Sequence, residues 1–393
     1  MRKSDVIVAG AGPVGLTASL ALARAGAEVT LLEKRPGLST ASLASTIHPP
    51  TLEILDQLGV LAPVLDQGYQ VETIQHRTPE GVFAQFAMHD LAGETPFPFR
   101  LHLEQSRITP VMLAQLRAHG AEIRFDHEVT GVEQDANGVT VTAAGQRFHA
   151  ACLLAADGAR STIREHLGIA FEGEDYPDKI LRIMTTDDLD RIVPGIDPVT
   201  YAYNGARSVS FLRMPDLWRI ILRVPAEVTD AEAQDESWIL DRFRAVLPGC
   251  EALPAVAGTD VYGASRRVAQ HFRQGRVYLI GDAAHVTSTR GGMNMNCGIH
   301  DAAALAAALP CGTEAAHAVS DERRRVATEH LIPRTHRTVA FSQASLEALR
   351  ATAADPAKAR AYLRTAAMLD MLDRSRVWLA TQKTAGENLA GID

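Results

Sequence analysis

The sequence predicts an α/β protein whose layer of parallel strands and helices is interrupted by β-rich insertions. Residues 5–33 contain an apolar run, a segment of helical length and a second apolar run, which is a βαβ pattern. Strand-like runs at 151–155 and 276–280 each end in a turn that contains aspartate and glycine. The segments near 71–105 and 175–265 instead contain short β-rich stretches, separated by prolines and glycines, which indicate a second sheet.

Length and composition indicate a soluble globular chain of more than one domain. The 393 residues are 46% hydrophobic and 22% charged, which argues against disorder and against a polytopic membrane protein. The net charge is −8, and no run of lysines and arginines is long enough to bind along a phosphate backbone. We therefore expect no nucleic-acid partner. The four cysteines have no metal-ligand or disulfide spacing, which favours a reducing cytoplasm and no metal site.

The uncharged stretch between Asp5 and Arg24 raises the alternatives of a signal peptide or a membrane span. Gly10, Gly12, Pro13 and Gly15 break this stretch, so a strand, a tight turn and a helix explain it better. We therefore expect no membrane span and a retained N-terminus.

The rest of the chain follows the same division. Asn137-Gly138 and Pro215-Asp216, each between apolar alternations, predict two hairpins. Residues 322–383 have helical character with a break near Pro356. The predicted domains are a discontinuous nucleotide-type domain (1–70, 106–174 and 266–320), a substrate-binding sheet domain (71–105 and 175–265) and a helical C-terminal region (321–393).

The first glycine-rich turn predicts a dinucleotide site. Gly10 permits a tight turn, Gly12 lets the backbone approach a pyrophosphate, and Gly15 lets helix and strand pack closely. Glu33, at the end of the next strand, is positioned to accept hydrogen bonds from ribose hydroxyls. This pattern does not separate FAD from a nicotinamide dinucleotide, and a turn with only a packing role is the alternative.

Two later turns add to this pattern. Residues 155–164 contain Asp157-Gly158, and residues 281–285 contain Gly281-Asp282, each after a strand and before a helix. Taken singly, each is equally consistent with a turn in which aspartate caps backbone N–H groups.

Together, in this order and spacing, the three motifs resemble those of the group A flavoprotein monooxygenases, the relatives of para-hydroxybenzoate hydroxylase. The resemblance covers most of residues 5–310. It implies a Rossmann-like FAD-binding domain in discontinuous segments, with FAD contacts at Gly10, Gly12, Pro13, Val14, Gly15, Glu33, Lys34, Arg35, Gln105, Val129, Asp157, Gly281, Asp282, Gly292, Met295 and Asn296.

The sequence departs from the family pattern at two places. Residues 40–44 lack the arginine with which relatives often reach the FAD phosphates. Thr287, Ser288 and Thr289 replace prolines that are common beside the reactive part of the flavin. The first departure concerns flavin movement and the second the shape of the pocket.

Substrate contacts are less well marked. His48, Tyr201, Tyr203, Phe211 and Arg213 are candidates, and strand alternation would place the last four on matching faces if no bulge intervenes. A structural helix-entry histidine and ordinary sheet packing are the alternatives. We predict no role as a redox thiol for Cys297, and the sequence identifies no catalytic proton-transfer residue.

The resemblance implies that NAD(P)H reduces FAD and that a C4a-hydroperoxyflavin then hydroxylates a phenolic or heteroaromatic small molecule. Only one dinucleotide fingerprint is present, so NADPH or NADH is expected to bind transiently. The expected partners are the aromatic substrate and O₂, and monomer and dimer both remain open. The alternatives are another flavin oxidoreductase (reductase, oxidase or halogenase) and a flavin-free binding protein.

Overall fold

Three β-sheets organise the part of the chain that the structure describes, and helices pack on the largest two. The computed structural model describes residues 2–41, 43–205, 207–250, 252–337 and 343–373. Its strands are β1 (Arg2–Ala9), β2 (Val29–Leu32), β3 (Thr46–Ile47), β4 (Tyr69–Val71), β5 (Thr73–Thr78), β6 (Gly81–Ala87), β7 (Arg100–His102), β8 (Glu122–Arg124), β9 (Val129–Asp135), β10 (Gly138–Ala143), β11 (Gln146–Ala155), β12 (Phe171–Thr185), β13 (Val199–Asn204), β14 (Arg207–Arg213), β15 (Trp218–Val224), β16 (Gly258–Ala269), β17 (Arg273–Gln274), β18 (Val277–Leu279) and β19 (His285–Val286).

The helices lie between these strands and in the C-terminal part. They are α1 (Pro13–Arg24), α2 (Pro49–Gln57), α3 (Leu61–Leu65), α4 (Gln105–Ala118), α5 (Thr162–His166), α6 (Leu189–Ile192), α7 (Asp230–Ala233), α8 (Glu236–Val246), α9 (Asn294–Ala308), α10 (Thr313–Val326), α11 (Ile332–Arg337), α12 (Gln343–Ala353) and α13 (Pro356–Ala366). None of the helices in the described part of the chain has the length and apolar character needed to cross a membrane.

The first sheet has the parallel core that the βαβ pattern predicts. Its order is β17-β18-β11-β1-β2-β8, with β10 beside β11 and β9 beside β10. β1 pairs in parallel with both β2 and β11, and Ile7 and Val8 are fully buried because both faces of the strand are covered. Pro13 begins α1 directly after the turn, and α1 contacts α4 and α9.

The predicted hairpins are present. β9 and β10 are antiparallel around Asn137-Gly138, and Asp135 Oδ1 accepts the N–H groups of Asn137 at 2.7 Å and of Gly138 at 3.1 Å. β14 and β15 are antiparallel around Pro215-Asp216. Turn composition was therefore sufficient to place both hairpins.

The second sheet has the order β19-β16-β12-β15-β14-β13-β5-β6. Its outer face packs on α8, where Phe211 meets Phe243 edge to face at 5.9 Å. Strand β12 begins at Phe171 and β19 ends at Val286, so this sheet extends beyond residues 175–265. The division of the chain into domains stays a prediction.

A three-stranded sheet of order β3-β7-β4 was not predicted separately. Its central strand pairs Thr46 with His102 on one side and Tyr69 with His102 on the other. In the sequence, residues 100–102 belong to the segment 71–105, whose short β-rich stretches do not indicate which strands pair.

The C-terminal region is largely helical, as predicted, but helix α13 ends at Ala366 and residues 367–373 are not helical. Met368 has a φ of 61°, which is incompatible with helix continuation. The predicted helical residues 374–393 lie outside the described residues.

Candidate active site

A cavity of about 1160 Å³ opens between the first two sheets and the small third sheet. The glycine-rich turn, Glu33 and Asp157 line one part of it, and Tyr201 of the second sheet lines another. The cavity is large enough for a dinucleotide and a small aromatic molecule together.

The glycine-rich turn is shaped by two very close backbone approaches. A Cβ added at Gly10, whose φ is 103°, would lie 2.3 Å from the carbonyl oxygen of Ala156. A Cβ at Gly15 would lie 1.9 Å from the carbonyl oxygen of Gly10. A Cβ at Gly12 would meet none of the described atoms within 4 Å, because this residue caps α1 and faces the cavity. The turn thus leaves a helix N-terminus open to an anionic ligand.

Glu33 fixes the turn against the end of β2. The Ala11 N–H donates to Glu33 Oε2 at 2.7 Å, and the Arg35 N–H donates to Oε1 at 3.0 Å. The side chain is buried yet lines the cavity. Each carboxylate oxygen keeps a second lone pair for a ligand hydroxyl.

Asp157 combines capping with an open carboxylate oxygen. Its Oδ2 accepts the Ile163 N–H at 3.2 Å, at the start of α5. Its Oδ1 is buried, has no partner among the described residues, and belongs to a side chain that lines the cavity. Burial raises the pKa of the Asp157 carboxyl above its ordinary value. The capping alternative therefore accounts for only one of the two oxygens.

The second aspartate turn is held by a polar chain that leads into the interior. Asn294 Nδ2 donates to Asp282 Oδ1 at 2.8 Å, and His285 Nδ1 lies 3.1 Å from Asn294 Oδ1. His285 Nε2 is 2.8 Å from Asp301 Oδ2, which also accepts the Gly281 N–H at 3.2 Å. Asp282 is thereby fixed at the cavity wall.

His285, Cys297 and Asp301 cluster at metal-ligand distances, but a guanidinium lies among them. Arg323 Nε donates to Asp301 Oδ1 at 2.7 Å, and its Nη2 lies 3.2 Å from Cys297 Sγ. The cation of this cluster is thus a side chain of the protein, and its geometry is that of an ion-pair network.

The loop before α9 is shaped by Asn296. Its Nδ2 donates to the carbonyl oxygens of Thr46 at 2.8 Å and Gly292 at 2.7 Å, and its Oδ1 accepts the His48 N–H at 2.9 Å. Gly292 has a φ of 61° and its Cα packs so closely that a Cβ would lie 2.7 Å from Thr46 Cβ. Met295 and Gly292 line the cavity, and Asn296 supports them from behind.

Most of the predicted cofactor residues meet at this cavity. The lining includes Gly10, Gly12, Pro13, Val14, Glu33, Lys34, Arg35, Gln105, Val129, Asp157, Asp282, Gly292 and Met295. Gly15, Gly281 and Asn296 are not part of the lining, and each acts by packing or by hydrogen bonding behind it. Their roles in binding remain a prediction.

The predicted substrate residues do not lie together, which corrects the expectation of matching faces. Tyr201 pairs with Ser210 and Thr200 pairs with Phe211, so Tyr201 and Phe211 lie on opposite faces of the sheet. Tyr201 lines the cavity, whereas Phe211 is fully buried on the α8 side. The antiparallel register of β13 and β14 decides which face each side chain occupies, and this register could not be predicted from the sequence.

The other candidates make contacts within the protein, and their role in substrate binding remains a prediction. Arg213 lies over Trp218, with its guanidinium 5.4 Å from the ring centroid. Tyr203 is buried with its hydroxyl 3.2 Å from His76 Nδ1, and His48 donates through Nε2 to the carbonyl oxygen of Gly291 at 2.8 Å. Arg213, Tyr203 and His48 do not line the cavity.

Arg100 and His102 are among the lining residues that the sequence analysis missed. Arg100 and His102 occupy alternate positions of β7, and both are almost fully buried. The available signal was their alternation with the apolar Leu101 and Leu103. Pro96 and Pro98, just before this short strand, obscured that alternation.

The residues present fit FAD. The open helix N-terminus at Gly12 suits a pyrophosphate, and the buried Asp157 Oδ1 lacks the partner that a ligand would supply. The cavity continues from this end to the Gly292–Met295 loop and Tyr201. A dinucleotide therefore has both a phosphate cradle and room for its second ring system.

Comparison with known proteins decides the family. A model of the FAD-binding domain family matches residues 3–331. The chain belongs to this family. This flavoprotein monooxygenase uses FAD as its cofactor.

Two curated relatives cover most of the flavoprotein. The para-nitrophenol 4-monooxygenase of Pseudomonas sp. (strain WBC-3) is 33% identical over 84% of this chain and 84% of its own length. The 6-hydroxy-3-succinoylpyridine 3-monooxygenase of Pseudomonas putida is 31% identical over 78% of this chain and 79% of its own.

Solved structures agree with this assignment. The p-nitrophenol 4-monooxygenase of Pseudomonas putida DLL-E4 superposes with a TM-score of 0.85 at 28% identity, covering 96% of this flavoprotein and 99% of that chain. A ternary complex of aklavinone-11 hydroxylase with FAD and aklavinone has a TM-score of 0.70 at 28% identity, covering 86% and 68%.

Proposed function

We propose that this flavoprotein monooxygenase hydroxylates a phenolic or hydroxylated heteroaromatic small molecule, with NAD(P)H and O₂ as co-substrates. The observation that carries the proposal is the continuous cavity from the glycine-rich turn to Tyr201, which has room for an aromatic molecule beside the flavin. The names of two relatives, a nitrophenol and a hydroxypyridine monooxygenase, support this substrate class.

The proposed cofactor roles are those that the family resemblance implies for residues at this cavity. Glu33, Lys34, Arg35 and Val129 are proposed to hold the adenosine end, and the turn at Gly10–Val14 the pyrophosphate. Asp282 is proposed to bind the ribityl-pyrophosphate stretch, and Gly292 and Met295 to border the flavin ring. When bound, FAD would supply the redox chemistry that connects NAD(P)H with O₂.

The protein has three further tasks in this proposal. It orients the aromatic ring, it keeps water from the reacting centre, and it assists loss of the substrate's hydroxyl proton. Leu212 and Ile221 of the second sheet supply apolar parts of the cavity wall, as does Met295. Four free cysteines, three of them buried, suit a reducing cytoplasm, which is the proposed location.

Consumption of NADPH or NADH by the purified holoenzyme tests the proposal. A panel of phenols and hydroxypyridines is expected to raise consumption at least tenfold over the rate without an aromatic compound. One hydroxylated product per reduced nucleotide is expected. Consumption that ignores every aromatic compound, with all the oxygen recovered as hydrogen peroxide, would favour an oxidase or reductase instead.

A further inference from the structure

A chain of polar side chains connects the interior of the protein to the cavity wall at the start of α9. It runs from Asp282 through Asn294 and His285 to Asp301, whose other oxygen accepts a hydrogen bond from Arg323. His285 is fully buried and does not line the cavity, whereas Asp282 and Asn294 do. The Asn294 side chain therefore lies between the His285 ring and the cavity.

The Asn294 amide has one orientation that satisfies both of its neighbours. Its Nδ2 lies 2.8 Å from Asp282 Oδ1, and a carboxylate oxygen can only accept, so the NH₂ group faces Asp282. The amide oxygen Oδ1 then faces His285 Nδ1 at 3.1 Å. An amide oxygen can also only accept, so His285 Nδ1 carries a proton.

The second ring nitrogen of His285 also faces an acceptor. Its Nε2 lies 2.8 Å from Asp301 Oδ2, which accepts the Gly281 N–H at 3.2 Å as well. Arg323 Nε donates to the other oxygen at 2.7 Å, which keeps Asp301 ionised. Both nitrogens of His285 therefore donate, and the ring is an imidazolium cation. Burial alone would lower the pKa of His285, but the Asp301 carboxylate raises it well above its ordinary value, in agreement with this geometry.

The charged and titratable groups around His285 lie on two sides of it. Asp301, Arg323 and Cys297 lie on the interior side, since none of them lines the cavity, and Arg323 Nη2 is 3.2 Å from Cys297 Sγ. Asp282 lies on the cavity side, beyond Asn294. If His285 lost its charge, Asp301 would keep Arg323 as its ion-pair partner. The main electrostatic change would then be the loss of one positive charge behind the cavity wall.

This charge stands behind the part of the wall that is proposed to border the flavin ring. Gly292, Asn294 and Met295 all line the cavity, and Gly292 and Met295 are the proposed ring contacts. Asn294 lies between them in the chain and contacts His285 on its interior side. A charge in such a buried position is screened much less than a charge in bulk solvent.

Reduction changes the charge of FAD. A hydride taken from NAD(P)H brings one negative charge to the ring system, so a fixed cation nearby stabilises the reduced form more than the oxidised form. We propose that the His285 imidazolium raises the reduction potential of bound FAD. His285 acts across Asn294 and does not touch the cofactor, so it is not a catalytic residue. This role goes beyond the proposed function; it rests on the proposed placement of the flavin ring and not on the substrate class.

The reduction potential of the holoenzyme, measured without any aromatic compound, tests this role. His285→Gln removes the charge and keeps an amide donor for Asp301. We expect the affinity for reduced FAD to fall at least tenfold more than the affinity for oxidised FAD, which lowers the potential by about 30 mV or more for a two-electron couple. Anaerobic reduction in the presence of a reference dye measures the potential. A purely structural role would weaken the binding of both forms alike and leave the potential unchanged.

His300 offers a matched control in the same part of the protein. It is a fully buried residue of α9, and its Nε2 lies 3.0 Å from Thr51 Oγ1. Burial lowers its pKa to about 3, so its ring is neutral. His300→Gln removes a buried ring but no charge, and it should leave the potential unchanged. His285→Lys places a cation beside Asp301 again and should recover part of the shift.

The charge of His285 can also be measured in the wild type. At about pH 8, histidines with the ordinary pKa of about 6.5 are neutral. Nuclear magnetic resonance of the ring nitrogens in nitrogen-15-labelled protein should therefore show a histidine that still carries protons on both nitrogens. This signal should be absent from His285→Gln and present in His300→Gln. FAD content and melting temperature identify any variant that fails to fold.

An unchanged potential in folded His285→Gln, or an equal shift in His300→Gln, would overturn the role of His285. The absence of a doubly protonated histidine in the wild type at about pH 8 would overturn it without any variant. If the potential is unchanged while NAD(P)H oxidation stays coupled to hydroxylation, the proposed function stands and the role of His285 is wrong. If the potential falls but no aromatic compound stimulates NAD(P)H oxidation, the role of His285 stands and the proposed function is wrong.

Discussion

Asp301 on α9 and Arg323 on α10 form a buried ion pair directly behind the Gly281-Asp282 turn. Arg323 Nε donates to Asp301 Oδ1 at 2.7 Å, and both side chains are at most 5% exposed. Asp301 Oδ2 also meets His285 Nε2, and Arg323 Nη1 donates to the carbonyl oxygen of Met371 at 2.6 Å. The pair therefore connects the cofactor turn to the last described part of the chain.

Replacing Asp301 by asparagine should destabilise the protein strongly. The substitution leaves the Arg323 cation buried without a carboxylate, which typically costs about 3–5 kcal/mol. We expect a loss of this size in the free energy of unfolding, measured by denaturant titration of the holoenzyme. Asp321→Asn removes an exposed partner of Arg273 and should cost less than about 1 kcal/mol. Equal stability of the two variants would show that the buried pair contributes nothing.

The same network predicts how this stability difference depends on pH. Burial alone would raise the pKa of Asp301, but Arg323 and His285 hold it far below its ordinary value. Its contribution is therefore complete above the unfolded pKa of about 3.9 and is lost as the pH falls below it.

His285 has the opposite sign. Burial alone would lower its pKa, but Asp301 raises it well above 6.5. Its contribution is complete below the unfolded pKa of about 6.5 and is lost as the pH rises through the folded pKa. The difference between wild type and Asp301→Asn should thus be greatest between about pH 4 and 6.5. A difference that stays constant from pH 3 to 9 would contradict this assignment of charges.

Substitutions at two glycines of the glycine-rich turn are expected to have different effects, one on FAD binding and the other on folding. Gly12→Val should give a folded protein that retains no FAD, because its side chain enters open cavity space. Gly15→Val should prevent folding, because its Cβ would collide with the Gly10 carbonyl. Flavin absorbance and circular dichroism distinguish the two. Gly37→Val, at another open position outside the cavity lining, is the control that should keep its flavin.

Asp157→Ala should slow flavin reduction while leaving most of the FAD bound. The variant removes the buried Oδ1 that faces the cavity, and loss of one charged hydrogen bond of about 1.5–3 kcal/mol corresponds to roughly tenfold or more in rate. Anaerobic stopped-flow reduction by NADPH measures this. Asp235→Ala removes another capping aspartate, at α8, and should not change the rate. An unchanged reduction rate in Asp157→Ala would show that the Asp157 carboxylate takes no part in flavin reduction.

The local parts of the fold and site were predictable because each depends on a few adjacent residues. Local backbone sterics and hydrogen bonds determine three of these features, and the residue types at each position are enough to predict them. They are the turn at Gly10–Gly15, the acid at Glu33 and the hairpin at Asn137-Gly138. The face of Phe211 was not predictable, since it depends on strand register. His102 was missed for a similar reason, since its place in the cavity wall depends on a strand pairing with residues more than fifty positions away.

The most direct test of the central claim is the coupling of NAD(P)H oxidation to hydroxylation by the purified holoenzyme. With a suitable phenol or hydroxypyridine, we predict faster consumption of reduced nucleotide and of O₂, one hydroxylated product per nucleotide, and little hydrogen peroxide. Consumption unaffected by any aromatic compound, with peroxide as the sole oxygen product, would contradict the account.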